Sequence, residues 1–327
     1  MAAGRLGIVV PDGNKVYAIT QQQFMNDTTK VWQFDASTPG TPAKIPPDMT
    51  FTPSCVIDGT LVWSAGLDAE DKMSFKHCSV TGCLTSTQSF THAVQTDGFT
   101  NIEIYPRCDA ANKEIVWAEE FTPTAGGDTT FSIYRASVKG ANLRKVTSFP
   151  KLNGATEAYV NGFASGRTDR IFFTRTTGTT IQVLSVSTST ANATPVVLAS
   201  GSSTGPLGIN YAALYANDSL LVWKNDNTSY RIPLPNGVGS STPPQFSGYA
   251  IGAGIMDNYH FYGILESGPP NLQWCSVSSC SMTSLSTAVN NAQPYTFAQD
   301  ENAVYWAVVN ESAGDGFAIW KVAKQKY

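Results

Sequence analysis

Short apolar runs that end in an aromatic residue recur along the whole chain, each just after a turn rich in Asp, Asn or Gly. Successive closing aromatics lie 39 to 56 residues apart. They are Tyr17, Trp63, Trp117, Phe173, Trp223, Tyr262 and Trp306. Periods of roughly 40–50 residues with several strands in each are typical of a β-propeller, because one small sheet cannot bury its own faces.

Two further alternating runs flank each closing aromatic and predict further strands. One precedes the turn, as in LGIVV before residues 11–14, and one follows, as in KVWQF around Trp32 or FAIWKV around Trp320. Each repeat therefore reads as strand, Asx-type turn, aromatic-closed strand, loop and strand, with a weaker edge strand behind. The pattern predicts an all-β, seven-bladed β-propeller, with residues 1–327 forming a single domain.

The tryptophans and the turn acids are both interpreted as structural. All seven tryptophans fall in the second and third runs of the repeats. A ring that buries ~150–250 Å² fills the gap of about 10 Å between stacked sheets, so we expect them to pack between blades. The recurring turn acids are expected to cap their own turns, although they also suggest a ring of catalytic carboxylates. These acids are Asp12, Asp58, Asp169, Asp218, Asp257 and Asp300.

The composition and the cysteines point outside the cytosol. Charged residues make up 14% of the chain, against a typical value of about 25%. Two pairs of cysteines frame similar hexapeptides, and the remaining two lie near the ends of the first strands of consecutive repeats. The predicted disulfides are Cys55–Cys108, Cys78–Cys83 and Cys275–Cys280. They imply an oxidising compartment, so the protein is predicted to be secreted, periplasmic or on the cell surface.

Zinc, nucleic acid and a membrane span are disfavoured as alternatives. The CxxxxC spacing lacks the second ligand pair of common zinc sites. Of the three histidines, His77 and His260 occupy strand columns and are interpreted as packing residues, while His92 falls in a predicted connection. The net charge is −4 without a basic run, and no apolar stretch approaches 18–20 residues.

One segment resembles a known repeat. Residues 302–306 (NAVYW), followed by residues 318–322 (AIWKV), resemble the repeat of YWTD-type, low-density-lipoprotein-receptor-like propellers. The Cys-Ser-Val hexapeptides are similar to those of secreted bacterial propeller proteins. Ala307 and Val308 stand where that family has Thr-Asp, and the chain has seven repeats where the family has six. The resemblance implies an extracytoplasmic propeller whose common use is binding, and receptor function is not carried over.

The mouth of the central tunnel is the predicted binding site, because the inner strands of all blades converge there. Aromatic and polar residues recur at the start of the predicted inner strands. Tyrosine rings at this place suit a sugar or a cationic ligand, and the alternative is that they pack between blades. The predicted ligand-binding residues are Glu103, Tyr105, Tyr159, Asn161, Tyr211, Tyr249 and Tyr295.

The marked catalytic motifs of sialidase and quinoprotein propellers do not occur in the sequence. The predicted function is therefore an extracytoplasmic, non-enzymatic propeller that binds a glycan, peptide or protein on one face of the ring, without a cofactor. The alternative is a propeller enzyme, such as a metal-assisted lactonase, hydrolase or lyase. In that case Glu103, Glu157, Asn161 and Asn210 would hold a Ca²⁺-like cation in the tunnel, although such sites use about 6–8 oxygen ligands.

Overall fold

A computed structural model describes most of the chain. Outside the described residues lie 1–5, 21–28, 39, 41–42, 50–54, 71, 82–86, 96, 110–111, 152–159, 166–168, 178–179, 203–213, 226–227, 240–242, 248–250, 266–271, 287–293, 310–316 and 325–327. The described residues form 27 β-strands. Among them, no helix is long and apolar enough to span a lipid bilayer.

The first three sheets are four-stranded antiparallel meanders, each built from consecutive strands. Sheet 1 holds β1 (Leu6–Asp12), β2 (Lys15–Thr20), β3 (Thr29–Asp35) and β4 (Ala43–Met49). Sheet 2 holds β5 (Cys55–Ile57), β6 (Thr60–Leu67), β7 (Lys72–Ser79) and β8 (Gln88–Ala93). Sheet 3 holds β9 (Gly98–Asp109), β10 (Glu114–Pro123), β11 (Thr129–Ser137) and β12 (Arg144–Lys151).

The later sheets repeat this order. Sheet 4 holds β13 (Val160–Ser165), β14 (Arg170–Thr177), β15 (Thr180–Ser187) and β16 (Val196–Ser202). Sheet 5 holds β17 (Leu214–Ala216), β18 (Leu220–Asn225), β19 (Thr228–Pro233) and β20 (Gln245–Ser247). Sheet 6 holds β21 (Ile251–Met256), β22 (His260–Leu265), β23 (Leu272–Ser276) and β24 (Thr283–Ser286). Sheet 7 has three described strands, β25 (Pro294–Gln299), β26 (Ala303–Val309) and β27 (Phe317–Ala323).

The seven small antiparallel sheets confirm the predicted all-β, seven-bladed β-propeller. The chain groups into two compact units, which are described separately. The first comprises Met1–Gly127, Ser132–Arg144 and Ala292–Tyr327, and the second comprises Asp128–Phe131 and Lys145–Asn291. The first unit contains sheets 1, 2 and 7 and most of sheet 3, and the second contains sheets 4, 5 and 6. The prediction of a single domain stays a prediction.

Within each unit, the second strand of a sheet packs by a simple rule. Its fourth residue faces the preceding sheet and its third residue faces the following one, because side chains alternate along a strand. In the first unit, Val62 of β6 and Trp117 of β10 therefore share one apolar cluster between sheets 2 and 3. In the second unit, Phe172 of β14 and Trp223 of β18 share a cluster between sheets 4 and 5. The tryptophans at these positions pack between blades, as predicted.

The rule corrects one detail of the sequence interpretation. The closing aromatics do not all occupy one column, because Tyr17 is the third residue of β2 and Tyr262 the third of β22. Tyr17 therefore faces the opposite way from Trp63, which is fourth in β6. Both rings still belong to the same apolar cluster, because Tyr17 faces sheet 2 from sheet 1 and Trp63 faces sheet 1 from sheet 2.

Two of the three predicted disulfides lie among the described residues. Cys55 of β5 is bonded to Cys108 of β9 with their Cα atoms 5.2 Å apart, so this bridge joins the first strands of sheets 2 and 3. Cys275 is bonded to Cys280 with a Cα separation of 4.9 Å, within sheet 6 and the turn that follows β23. Cys83 lies outside the described residues, so the bridge from Cys78 to Cys83 stays a prediction.

The turn acids play two different roles. Asp257 and Asp300 cap their own turns, as predicted. Asp257 Oδ1 accepts hydrogen bonds from the backbone N–H groups of Tyr259 (2.8 Å) and His260 (2.7 Å). Asp300 Oδ1 accepts two bonds of 2.7 Å in the same way. In sheet 5 it is Asn217, not Asp218, whose Oδ1 caps the turn.

Other turn acids connect neighbouring sheets, and for these the prediction of a cap is wrong. Asp12 accepts a hydrogen bond from the backbone N–H of Gly59, in the corresponding turn of sheet 2. Asp58 pairs with Lys113 Nζ of sheet 3 at 2.8 Å. In the second unit, Asp218 accepts a bond of 3.1 Å from the side chain of Asn258. The first turns of adjacent blades are thus tied to one another.

Candidate functional site

The first strands of neighbouring sheets lie side by side within each unit. In the first unit, β1 contacts β25 and β5, and β5 contacts β9. In the second unit, β17 contacts both β13 and β21. Because the sheets of a propeller converge toward its central channel, we assign the first strand of each sheet as the inner strand.

These inner strands carry recurrent register shifts of one residue, the pattern of a β-bulge. In the first unit the extra residue lies between Leu6 and Ile8 of β1 and between Pro294 and Phe297 of β25. In the second unit comparable shifts occur in β13 and β21. β9 has two shifts, one at Glu103 and one between Ile104 and Arg107. Bulges re-aim side chains and are common beside active sites.

Four predicted ligand residues lie at these irregular positions. In the first unit, Glu103 is the extra residue of one bulge in β9, and Tyr105 belongs to the segment of the other. Tyr295 lies between the shifted pairs of β25. In the second unit, Asn161 directly precedes the shift of β13. The remaining candidates, Tyr159, Tyr211 and Tyr249, lie outside the described residues, as do Glu157 and Asn210 of the alternative cation site.

A polar cluster that the sequence did not reveal lies in the seam between sheets 2 and 3. Glu119 Oε1 accepts two hydrogen bonds of 2.7 Å, one from Trp117 Nε1 and one from His92 Nε2. The side chains of His92 and Glu119 are only 7% and 4% exposed. His92 lies in β8, so its assignment to a connection was wrong. The cluster ties the outer strand of one blade to the second strand of the next.

Aromatic rings enclose this pair. Trp117 stacks on Tyr134 with centroids 5.6 Å apart, and His92 lies 4.8 Å from the ring of Tyr134. Burial, together with the nearby Glu119 carboxylate, raises the pKa of Tyr134 to about 12. His92 Nδ1 faces the carbonyl oxygen of Ala93 at 3.2 Å. Both ring nitrogens of His92 thus lie within hydrogen-bond distance of an oxygen atom, which fixes the orientation of the ring.

A second buried network closes the turn end of sheet 3. Arg135 is almost completely buried, and its guanidinium pairs with Asp109 and Glu114 at 2.5 Å each. Glu114 also pairs with Arg144 at 3.0 Å. Two cations and two anions therefore balance, as a buried set of charges requires. This arrangement holds the β9–β10 hairpin against β11 and is structural.

The described residues contain no group of three or more His, Cys, Asp or Glu side chains placed to hold a metal ion. Two of the four residues of the predicted cation site, Glu157 and Asn210, lie outside the described part of the chain. The calcium alternative therefore stays a hypothesis that rests on the sequence.

The sheets, seams and inner strands together define a β-propeller. No protein family profile and no curated protein matches the sequence. Solved structures do match. The β-propeller domain of the Trilobed protease from Pyrococcus furiosus aligns with a TM-score of 0.58 at 9% identity, over 100% of this chain and 99% of that one.

Two peptidases also match. A puromycin hydrolase aligns with a TM-score of 0.59 at 10% identity, over 98% of this chain and 52% of its own. The acylaminoacyl peptidase of Pyrococcus horikoshii aligns with a TM-score of 0.59 at 9% identity, over 99% and 52%. This chain thus spans about half the length of either peptidase. At such identities the likeness shows the fold alone, and the resemblance to YWTD-type repeats stays a prediction.

Proposed function

We propose that the protein is an extracytoplasmic, non-enzymatic propeller that binds a glycan through the inner strands of its first unit. The observation that carries this proposal is the position of the bulges. In β9 and β25 the regular pairing is interrupted where the sequence places Glu103, Tyr105 and Tyr295. A bulge costs ladder hydrogen bonds, so its recurrence at predicted ligand residues favours a functional role over simple packing.

The residue types favour a glycan over a peptide or protein ligand. A tyrosine offers a flat apolar face for a sugar ring and a hydroxyl for the polar edge of that sugar. A neighbouring carboxylate such as Glu103 accepts hydrogen bonds from sugar hydroxyls. Tyr105 and Glu103 are two residues apart in β9, so one short segment carries both kinds of contact.

The extracytoplasmic setting is supported by the covalent bridges. Two disulfides, Cys55–Cys108 and Cys275–Cys280, stabilise separate parts of the chain. Structural disulfides are rare in a reducing cytosol. Neutral polar residues in place of charged ones are consistent with this setting, since only 14% of the residues are charged.

A glycan array followed by calorimetry tests the proposal. The labelled protein is expected to retain a defined set of glycans, and the strongest is then titrated against variants. Tyr105→Ala should weaken binding by about 1–3 kcal/mol, the loss expected for one stacking aromatic. Tyr105→Phe keeps the ring and should lose less. The matched control is Tyr259→Ala, since Tyr259 is an exposed tyrosine in a turn of the second unit.

Two outcomes would contradict the proposal. One is an array without retained glycans, together with retention of a peptide or protein ligand that depends on Tyr105. The other concerns the enzymatic alternative: a rise in melting temperature on adding calcium, reversed by chelator, would indicate a cation bound to the native state. That result would move the assignment to a metal-assisted propeller enzyme.

A further inference from the structure

One hairpin in the first unit is longer than its counterparts. β10 has ten residues, whereas the other second strands have six to eight. The bridge between Cys55 and Cys108 gives a common reference row, since Val62 pairs with Cys55 and Ile115 pairs with Cys108. From that row β6 runs five residues to Leu67 and β10 runs eight to Pro123. The β9–β10 hairpin therefore extends about 10 Å further than β6.

The extension presents an aromatic ring to solvent. Phe99 pairs with Thr122 and is 66% exposed, more than any other large hydrophobic side chain among the described residues. Phe121, on the opposite face of the same hairpin, is buried and packs over Gly98. The buried face anchors the hairpin, so the exposed position of Phe99 is held by the fold and does not result from a loose end.

Two acidic residues lie close to Phe99 in or next to the strands of this hairpin. Glu120 lies two residues before Thr122 in β10 and so shares the face of Phe99. Asp97 is exposed in the segment before β9, and its carbonyl oxygen accepts a hydrogen bond of 2.9 Å from the N–H of Thr124, which closes the base of the hairpin. We call Phe99, Glu120 and Asp97 the Phe99 face. The face combines a π surface with negative charge.

The neighbouring sheet adds negative charge at the same end of the molecule. The turn after β6 carries Asp68 and Glu70, and the cation in this turn, Lys72, is held by Glu70 at 2.6 Å. Asp68 Oδ1 accepts hydrogen bonds from the backbone N–H groups of Glu70 and Lys72, so the turn is well defined. Among the described residues from Asp68 to Lys72, two acids accompany one lysine, and an excess of negative charge attracts cationic partners.

We propose that the Phe99 face docks a peptide segment that carries arginine. A guanidinium group stacks on an aromatic ring and pairs with carboxylates at its edge, so one arginine side chain uses both features of this face. Charge complementarity selects this occupant over a neutral apolar segment or a second copy of this acidic chain. Phe99 lies four residues before the nearest bulge of β9, at Glu103, and this inference does not depend on glycan binding.

Fluorescence anisotropy with defined peptides tests the inference. The probe is a labelled peptide of alternating glycine and arginine, and its control contains citrulline, which has the shape of arginine without the charge. The arginine peptide should bind at least about ten-fold more tightly than the citrulline peptide. Raising the salt from about 50 to about 300 mM should weaken binding, because exposed charges are screened.

Variants of the face give the second part of the test. Phe99→Leu removes the π face and should weaken binding about five-fold, whereas Phe99→Trp should preserve or strengthen it. Glu120→Gln combined with Asp97→Asn should reduce both affinity and salt dependence. Tyr259→Leu, at an exposed aromatic of the second unit, serves as the matched control and should leave binding unchanged. Circular dichroism melts check that each variant is folded.

Several results would overturn the inference. These are equal binding of the arginine and citrulline peptides, equal affinity of Phe99→Leu and Phe99→Trp, or no saturable binding at millimolar peptide. A change from dimer to monomer in Phe99→Leu, seen by light scattering, would show that a second copy occupies the face. Tyr105→Ala should leave peptide binding intact, so failure of the proposed glycan site is distinguishable from failure of this one.

Discussion

Replacement of Glu119 by alanine tests whether the seam between sheets 2 and 3 depends on its polar cluster. The substitution removes the oxygen that accepts hydrogen bonds of 2.7 Å from both Trp117 and His92. Each donor is then left in a buried position, since the His92 side chain is 7% exposed and Trp117 is fully buried. An unsatisfied buried donor costs about 1–3 kcal/mol, so two of them cost about 2–6 kcal/mol. We therefore expect a loss near the middle of this range, about 3–5 kcal/mol.

Thermal unfolding measures this loss. With an unfolding entropy of roughly 2.1 cal/mol/K per residue, a chain of 327 residues gives about 0.7 kcal/mol/K. The melting temperature of Glu119→Ala should therefore fall by about 4–7 °C. Glu70→Ala is the matched control, because that carboxylate is 72% exposed and pairs only with Lys72 among the described residues. Its melting temperature should change by less than about 1 °C.

Two further variants separate hydrogen bonding from charge. Glu119→Gln keeps one carbonyl acceptor and should lose less stability than Glu119→Ala. His92→Phe keeps the ring contact with Tyr134 but removes the N–H donor, and combined with Glu119→Ala it should cost less than the sum of the single changes. If Glu119→Ala melts like Glu70→Ala, or if the two changes simply add, the cluster does not couple the two blades and the reasoning is wrong.

Two more predictions follow from the covalent and aromatic contacts. Removing the bridge between Cys55 and Cys108, which are separated by 53 residues, should cost about 4 kcal/mol of stability. Removing the bridge between Cys275 and Cys280, separated by 5, should cost about 2 kcal/mol. Denaturant unfolding of variants with both cysteines of a bridge replaced by serine measures the two losses, and a larger loss for the shorter loop would contradict the prediction. The pKa of Tyr134, raised to about 12, predicts stability that is fully present below pH ~10 and lost as the pH rises toward 12. Tyr134→Phe should flatten that decline. When the ionisation of the tyrosines is followed by absorbance, this variant should lack one tyrosine that ionises near pH 12.

Much of the fold could be predicted because each repeat obeys the same local rules. Alternation of apolar and polar residues, together with Asx-type turns, indicated the first three strands of every blade. The face of the sheet on which each closing aromatic lies was less predictable. Tyr17 and Trp63 look equivalent in sequence, yet they occupy the third and fourth positions of their strands and point in opposite directions. A shift of one residue reverses every side chain, and only the pairing between strands reveals it.

The disulfides were predictable because they depend on strand order. Cys55 and Cys108 lie near the ends of first strands in consecutive blades, so the repeat alone brings them together. The roles of the turn acids were harder to predict, since the same residue types cap their own turn or bond to the turn of a neighbouring sheet. Asp257 accepts hydrogen bonds within its own turn, whereas Asp12 accepts one from the next turn. The difference depends on how closely adjacent blades approach, which no local pattern encodes.

The polar cluster of the seam shows where inference from sequence ends. His92 lies in a short polar run, and Glu119 follows an apolar strand that already has its closing aromatic. They are 27 residues apart and belong to different sheets, so no periodicity links them. Trp117, Glu119 and Phe121 alternate along β10 and therefore lie on one face of the strand. A buried carboxylate between two aromatic rings is costly without a hydrogen-bond partner. A buried acid in a row of rings therefore implies a donor on the facing blade, and His92 is the donor that the structure supplies.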